Sequence, residues 1–196
     1  MSVPTPILAS RSPRRKELLG LILPAFSVQV SDADETLEPG VPPEEAVCRL
    51  ALRKAQAVLA LQPDPGEVVV IGSDTVVDVD GKILGKPHSR EECLEMLRTL
   101  SGREHEVHTG VALLRGGERR VFAETARVEF WPLTEAETAW YAATPEPYDK
   151  AGGYGVQGRG SVLVRGIRGD YFTVMGLPVS RLWRELRRLA PELFPF

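Results

Sequence analysis

Cysteine is nearly missing from this 196-residue chain: only Cys48 and Cys93 occur. They lie far apart, each in an apolar helical pattern, with neither zinc spacing nor a redox pair. A disulfide scaffold is therefore excluded, and buried, reduced thiols suit a cytoplasmic protein. Long apolar runs are also lacking. The run Val68-Val69-Val70-Ile71 is far too short to cross a bilayer, and residues 1–6 carry no charged-then-apolar leader. No membrane partner is expected. The net charge of −3 supplies no general pull toward nucleic acid, and few aromatics, 7% in all, stand beside basic residues to stack on bases. Lysine is scarce beside arginine, so each lysine near a turn stands out. A phosphate loop ending in Lys-Ser/Thr and a dinucleotide fingerprint are both absent. His88, His105 and His108 show no metal pattern with nearby acids, and the latter two are expected on strand faces or a turn.

What is present reads as one α/β unit over residues 1–196, without repeat, low-complexity tract or linker. Ile7-Leu8-Ala9 predicts a short buried strand. Ser12 then Pro13 marks a helix start, a hydroxyl cap followed by a residue that needs no NH partner. Residues 26–30 alternate as a second strand, and residues 31–40 form an acidic loop with Asp32, Asp34, Glu35 and Glu38. Pro42-Pro43-Glu44-Glu45 opens a helix running to about Leu61. On its apolar stripe of Val47, Leu50, Ala51, Ala55 and Val58 a single charge intrudes, Lys54. Residues 68–71 predict a strand covered on both sides, ending at a turn over Gly72-Ser73-Asp74-Thr75. Asp80-Gly81 predicts a tight hairpin. Ser89 caps a helix to Leu100. Long strands over 104–114 and 119–130 meet at Gly116-Gly117. Thr134 and Glu137 have capping-box spacing. A glycine-rich loop, a strand near residues 162–164 and a helix over 177–189 complete the chain.

Four signatures concentrate the polar chemistry: Ser10-Arg11-Ser12-Pro13-Arg14-Arg15, Gly72-Ser73-Asp74-Thr75, Leu84-Gly85-Lys86-Pro87, and residues 149–158. Free NH groups at a helix start, with Ser10 and the forked donors of Arg14 and Arg15, suit phosphate oxygens. From that segment alone, an ordinary capped helix with two solvated arginines is the better reading. Asp74, expected at the carboxyl end of a buried strand, can hold Mg²⁺ or take a proton from water. Lys86, stiffened by Pro87, is either a phosphate-binding charge or a solvated loop residue. Lys54, on a core face, must snorkel or find an anion. The segment from Lys150 to Gly160 allows close backbone approach, and the Gln157 amide can read a base edge with donor and acceptor. Tyr154 and Val156 look like its anchors. Together these features point to a nucleotide-cleaving enzyme.

In this order and spacing the signatures resemble the Maf family of nucleoside triphosphate pyrophosphatases. The resemblance runs from Ile7 to the last helix and includes residues 97–110, Leu-Arg-Thr-Leu-Ser-Gly-Arg-Glu-His-Glu-Val-His-Thr-Gly. It implies a two-lobed mixed sheet with flanking helices and a central cleft, like the inosine triphosphate pyrophosphatases. It implies hydrolysis of a nucleoside triphosphate to monophosphate and pyrophosphate with Mg²⁺ or Mn²⁺, in a homodimer. Asp74 matches the family's proton acceptor. Arg14, Thr75 and Gln157 match positions tied to substrate choice in the branch acting on dTTP and UTP. Glu35, Lys54 and Lys86 match further polar positions, Glu35 joining Asp74 as the expected metal pair. The alternatives are a pyrophosphatase for 7-methyl-GTP or ITP, or a nucleotide-binding regulator of septum formation. Ser73 stands where the family usually has alanine, and residues 171–175 depart from the usual Tyr-Ser-Asn-Val-Val.

Overall fold

The computed structural model describes residues 3–30, 32–36 and 40–194. Glu38 of the acidic loop lies outside the described residues. Among the described residues the strands and α-helices follow in this order: β1 (Thr5–Ala9), α1 (Pro13–Gly20), β2 (Ser27–Val28), α2 (Pro43–Leu59), β3 (Val68–Val79), β4 (Lys82–Leu84), α3 (Arg90–Leu100), β5 (Glu104–Arg115), β6 (Glu118–Phe130), α4 (Glu135–Ala142), β7 (Val164–Arg168), α5 (Tyr171–Met175) and α6 (Val179–Leu189). The strand order is β2-β1-β3-β5-β6-β7, with β4 beside β3. β1 runs parallel to β2 and β3, whereas β3–β4 and β6–β7 are antiparallel. The fold is thus a mixed α/β sheet with flanking helices.

The chain divides into two compact units. The first comprises residues 1–74, 109–124 and 176–196, and the second residues 75–108 and 125–175. The core of the first packs Ala51, Ala55 and Val58 of α2 against Ile7, Ala9, Val70, Ala112 and Leu114 on the strands. The stripe read from the sequence is therefore the buried face of α2. The core of the second gathers Val77, Val79, Cys93, Leu97, Leu100, Val128, Phe130, Tyr141, Tyr154 and Leu163.

Helix caps follow the local chemistry. Ser12, Ser89 and Thr134 accept the NH groups of Arg15, Glu92 and Glu137, and Glu137 closes the capping box on Thr134. Asp80 and Gly81 both take positive φ, 54° and 79°, which closes the β3–β4 hairpin.

The expected turn after Ile71 is absent. β3 continues unbroken through Gly72-Ser73-Asp74-Thr75 to Val79, so Asp74 stands inside a strand rather than at its carboxyl end. The small residues serve packing. A Cβ on Gly72 would stand 2.2 Å from the Ala51 carbonyl oxygen and 3.0 Å from Ala55. Glycine lets α2 lie directly on β3. Three elements shift from expectation: β2 shrinks to two residues, the late strand runs over 164–168, and a separate short helix precedes α6.

Candidate active site

The close approach of α2 to β3 fixes the charged group at the heart of the first unit. Lys54 sits one turn from Ala51, and Asp74 two residues beyond Gly72. The Lys54 Nζ donates to Asp74 Oδ1 at 2.6 Å and lies 3.1 Å from Glu35 Oε2. The Lys54 and Asp74 side chains are 13% and 12% exposed, Glu35 64%. A pair this dry holds its geometry far better than a surface pair. The ammonium draws two carboxylates from distant segments to one point, and Lys54 has found the anion its position demanded.

Behind this group a second set of bonds braces the strand. Arg15 Nε donates to the Gly176 carbonyl at 2.9 Å, and Nη1 to the Ser73 carbonyl at 2.9 Å and to Ser10 Oγ at 3.3 Å. The Ser73 hydroxyl donates to the same Gly176 carbonyl at 3.0 Å. The departure from the family's alanine therefore adds a hydrogen bond next to Asp74. Burial pulls the Arg15 guanidinium below its ordinary pKa, while the charge of Asp74 works the other way. Arg15 uses its fork on backbone carbonyls, which makes it a brace for β3 and α1. Arg14, its half-buried neighbour in the first turn, belongs to the same signature. Ser10 Oγ also accepts the Ser12 NH at 3.2 Å, tightening the turn into α1.

Thr75, Lys86 and Gln157 belong to the second unit. Thr75 follows Asp74 on β3 and is half-buried, as is Gln157, whereas Lys86 is exposed. Lys86 sits in a run tied to the glycine-rich segment, where the Gly152 NH donates to the Gly85 carbonyl at 2.9 Å.

That segment is held by a carboxylate whose importance no motif revealed. Glu146 accepts from the NH of Arg159 at 2.9 Å, the NH of Gly160 at 3.0 Å and the Tyr141 hydroxyl at 3.0 Å. The Tyr141 hydroxyl in turn accepts the Gly155 NH at 3.0 Å. Burial alone would raise the Glu146 pKa, but the two NH groups, the Tyr141 hydroxyl and Lys150 outweigh it and the net direction is down. Gly160 must be glycine here, since a Cβ would meet the Gly155 carbonyl at 2.2 Å. Gln157, on extended backbone, lies within the stretch so clamped. Tyr154 is the expected anchor: its ring meets Phe130 edge-on with centroids 4.7 Å apart, and its hydroxyl is hydrogen-bonded to His105 Nε2 at 2.6 Å. Lys150 is engaged locally, donating to Asp149 at 2.6 Å.

The histidine expectation needs correction. His108 does gather with acids: Asp78, Glu106 and His108 bring their ligand atoms within 4.8 Å of one another. The acids come from β3 and β5, and the sequence distance between 78 and 106 hid the group. The arginines of α6 engage their neighbours. Arg181 and Arg188 hold the buried Glu185 at 3.1 and 2.8 Å, and Arg184 stacks on Trp183.

Among the described residues, no helix is long and apolar enough to cross a membrane. Both cysteines are free thiols, Cys93 buried as expected and Cys48 only half-buried.

Comparison with known proteins agrees along nearly the whole length. The chain is 51% identical over 181 residues to a dTTP/UTP pyrophosphatase of Bacillus velezensis, covering 92% of this chain and 94% of that one. It is 49% identical over 182 residues to the protein of the same name from Bacillus cereus, covering 93% and 94%. Among solved structures, a HAM1 protein from Coxiella burnetii aligns with 94% of this chain and 99% of its own at 13% identity, with a TM-score of 0.49. The family model for Maf-like proteins matches residues 5–189, and the chain belongs to that family.

Proposed function

We propose that this protein is a nucleoside triphosphate pyrophosphatase that hydrolyses dTTP and UTP to the monophosphate and pyrophosphate. The observation that carries the reading is the buried Lys54–Asp74 pair with Glu35 beside it. It stands in a chain half identical to relatives named for that activity.

Two carboxylates converging on one cation form a hard-oxygen donor set of the kind Mg²⁺ and Mn²⁺ take. Asp74 and Glu35 would hold such an ion, and when bound it would neutralise phosphate charge and acidify water. The remaining steps belong to the chain. Lys54 fixes Asp74 in one rotamer by its 2.6 Å bond. Asp74 then accepts the proton of the water that attacks the α-phosphorus, and pyrophosphate leaves. Arg14 and Lys86 neutralise charge on the phosphates, with Arg15 and Ser10 holding the α1 turn in place. Thr75 and Gln157 govern substrate choice, Gln157 through the edge of the pyrimidine. Positioning and electrostatics supply the catalysis. The same reading has the enzyme acting as a cytoplasmic homodimer that binds no nucleic acid.

The test is pyrophosphate release from dTTP, UTP, 7-methyl-GTP and ITP with Mg²⁺ or Mn²⁺. Turnover of dTTP and UTP well above the two purine nucleotides is expected. Asp74→Asn is expected to lower kcat at least 100-fold. Preference for a purine nucleotide, nucleotide binding without pyrophosphate release, or full activity of Asp74→Asn would overturn the reading.

A further inference from the structure

A second cluster of metal-ligating groups lies in the second unit, four residues beyond Asp74 along β3. Asp78 projects from β3, and Glu106 and His108 from the neighbouring β5. Residues 106 and 108 are two apart on one strand, which puts both side chains on the same face. The ligand atoms of all three lie within 4.8 Å of one another.

His108 and Glu106 are each held in a posture that aims an atom into the group. His108 is 3% exposed. Its Nδ1 is hydrogen-bonded to the Thr125 hydroxyl at 2.9 Å, which fixes the ring and turns Nε2 toward Glu106. That orienting bond is the arrangement typical of a ligating imidazole. Glu106 gives Oε1 to Arg127 at 3.0 Å, so its Oε2 faces the imidazole at 3.6 Å, beyond hydrogen-bond length. Asp78 supplies the independent sign: its Oδ1 is buried and has no hydrogen-bond partner. A carboxylate oxygen left bare away from water is costly and calls for a ligand.

We propose that Asp78, Glu106 and His108 form a binding site for a divalent transition-metal ion, taking one carboxylate oxygen from each acid and Nε2 from the histidine. Two oxygens and one imidazole nitrogen suit zinc, with water in the fourth place. Around such an ion the ligand atoms stand about 3–3.5 Å apart, so the group needs only to close by a small side-chain rotation. The ion would pin β3 to β5 within this unit. It differs from the Asp74–Glu35 pair in chemistry as well as place, since a nitrogen ligand favours zinc over magnesium.

The test uses the full chain, freed of metal by chelator and carrying Asp74→Asn so that the proposed catalytic pair contributes little. Equilibrium dialysis against zinc with elemental analysis is expected to give one saturable ion per chain. Adding His108→Asn or, separately, Asp78→Asn is expected to weaken it at least tenfold, with circular dichroism confirming that each variant is folded. Zinc is expected to raise the thermal midpoint of the Asp74→Asn protein but not of the His108→Asn double variant. Zinc binding that never saturates, or that is unchanged by both substitutions, would overturn the site and leave the pyrophosphatase reading untouched. If His108→Asn unfolds, the Asp78→Asn arm decides alone.

Discussion

Lys54 is held between the demands of the core and of chemistry. Its stem crosses an apolar stripe, and its ammonium donates to Asp74 Oδ1. Removing that charge strands a carboxylate that is 12% exposed. Lys54→Met is therefore expected to cost about 3 kcal/mol in denaturant unfolding. The double variant Lys54→Met/Asp74→Asn should regain most of that loss while remaining inactive. A double variant no more stable than the single one would show that Lys54 acts through packing and not charge.

His105 gives a second prediction at this scale. Burial pushes its pKa from the ordinary 6.5 down to about 4. Between those values the unfolded chain binds a proton that the folded chain refuses, so stability falls as pH drops from 6.5 to 4 and is unaffected above. The contribution is at most about 3 kcal/mol. Unfolding free energies measured from pH 7 to pH 4 should show the slope, and His105→Phe should flatten it.

Some of these residues were legible in the sequence because the signal was local. A lysine on an apolar stripe announces a buried anion, and Tyr154 among glycines announces an anchor. Glu146 was not legible, because two of its three donors are backbone NH groups that any residue would supply, 13 and 14 residues away. Asp78, Glu106 and His108 were hidden for another reason: β3–β5 pairing brings them together, and no spacing rule records it.

At the scale of elements, caps and hairpin turns were read correctly, because each depends on a few adjacent residues. The run Gly72-Ser73-Asp74-Thr75 misled because smallness has two uses. It can mark a turn, or it can let a helix settle onto a strand, and here the second holds. β7 was shifted because its Arg165, Gly166 and Arg168 carry no alternating apolar pattern. Gly72→Ala is accordingly expected to force α2 from β3, costing about 3 kcal/mol and pulling Lys54 from Asp74, so kcat should fall with stability. Gly85→Ala, with open space around the added carbon, should stay within about 0.5 kcal/mol. Denaturation curves of the two variants make the comparison. In the glycine-rich segment, Glu146→Gln loses the charge that gathers three donors. It is expected to raise KM for dTTP several-fold with a smaller change in kcat, as steady-state kinetics would show.

The whole molecule is two units threaded by one chain, which changes unit at 74/75, 108/109, 124/125 and 175/176. The family resemblance implies two lobes, but the interleaving has no local signature: β5 and β6 each read as a single strand across the change of unit, and the run at 72–75 reads as a turn rather than as a crossing strand. The core of the first unit draws on Ala112 and Leu114 as well as on residues 7–70. A fragment ending at Asp74 is therefore expected to remain unfolded, with collapsed NMR dispersion, whereas a well-dispersed spectrum would show that residues 3–74 suffice.

The interleaving also sets an order of assembly. On the ribosome the amino end of a protein normally settles first. Here the second unit has all its residues once 175 has emerged, while the first still waits for 176–196, including Gly176, whose carbonyl receives Arg15 and Ser73. The brace beside Asp74 is thus a late bond, and the proposed catalytic centre is finished only after residue 176 has emerged. A nascent chain interrupted before that point would carry the acid and the lysine without the support that fixes them.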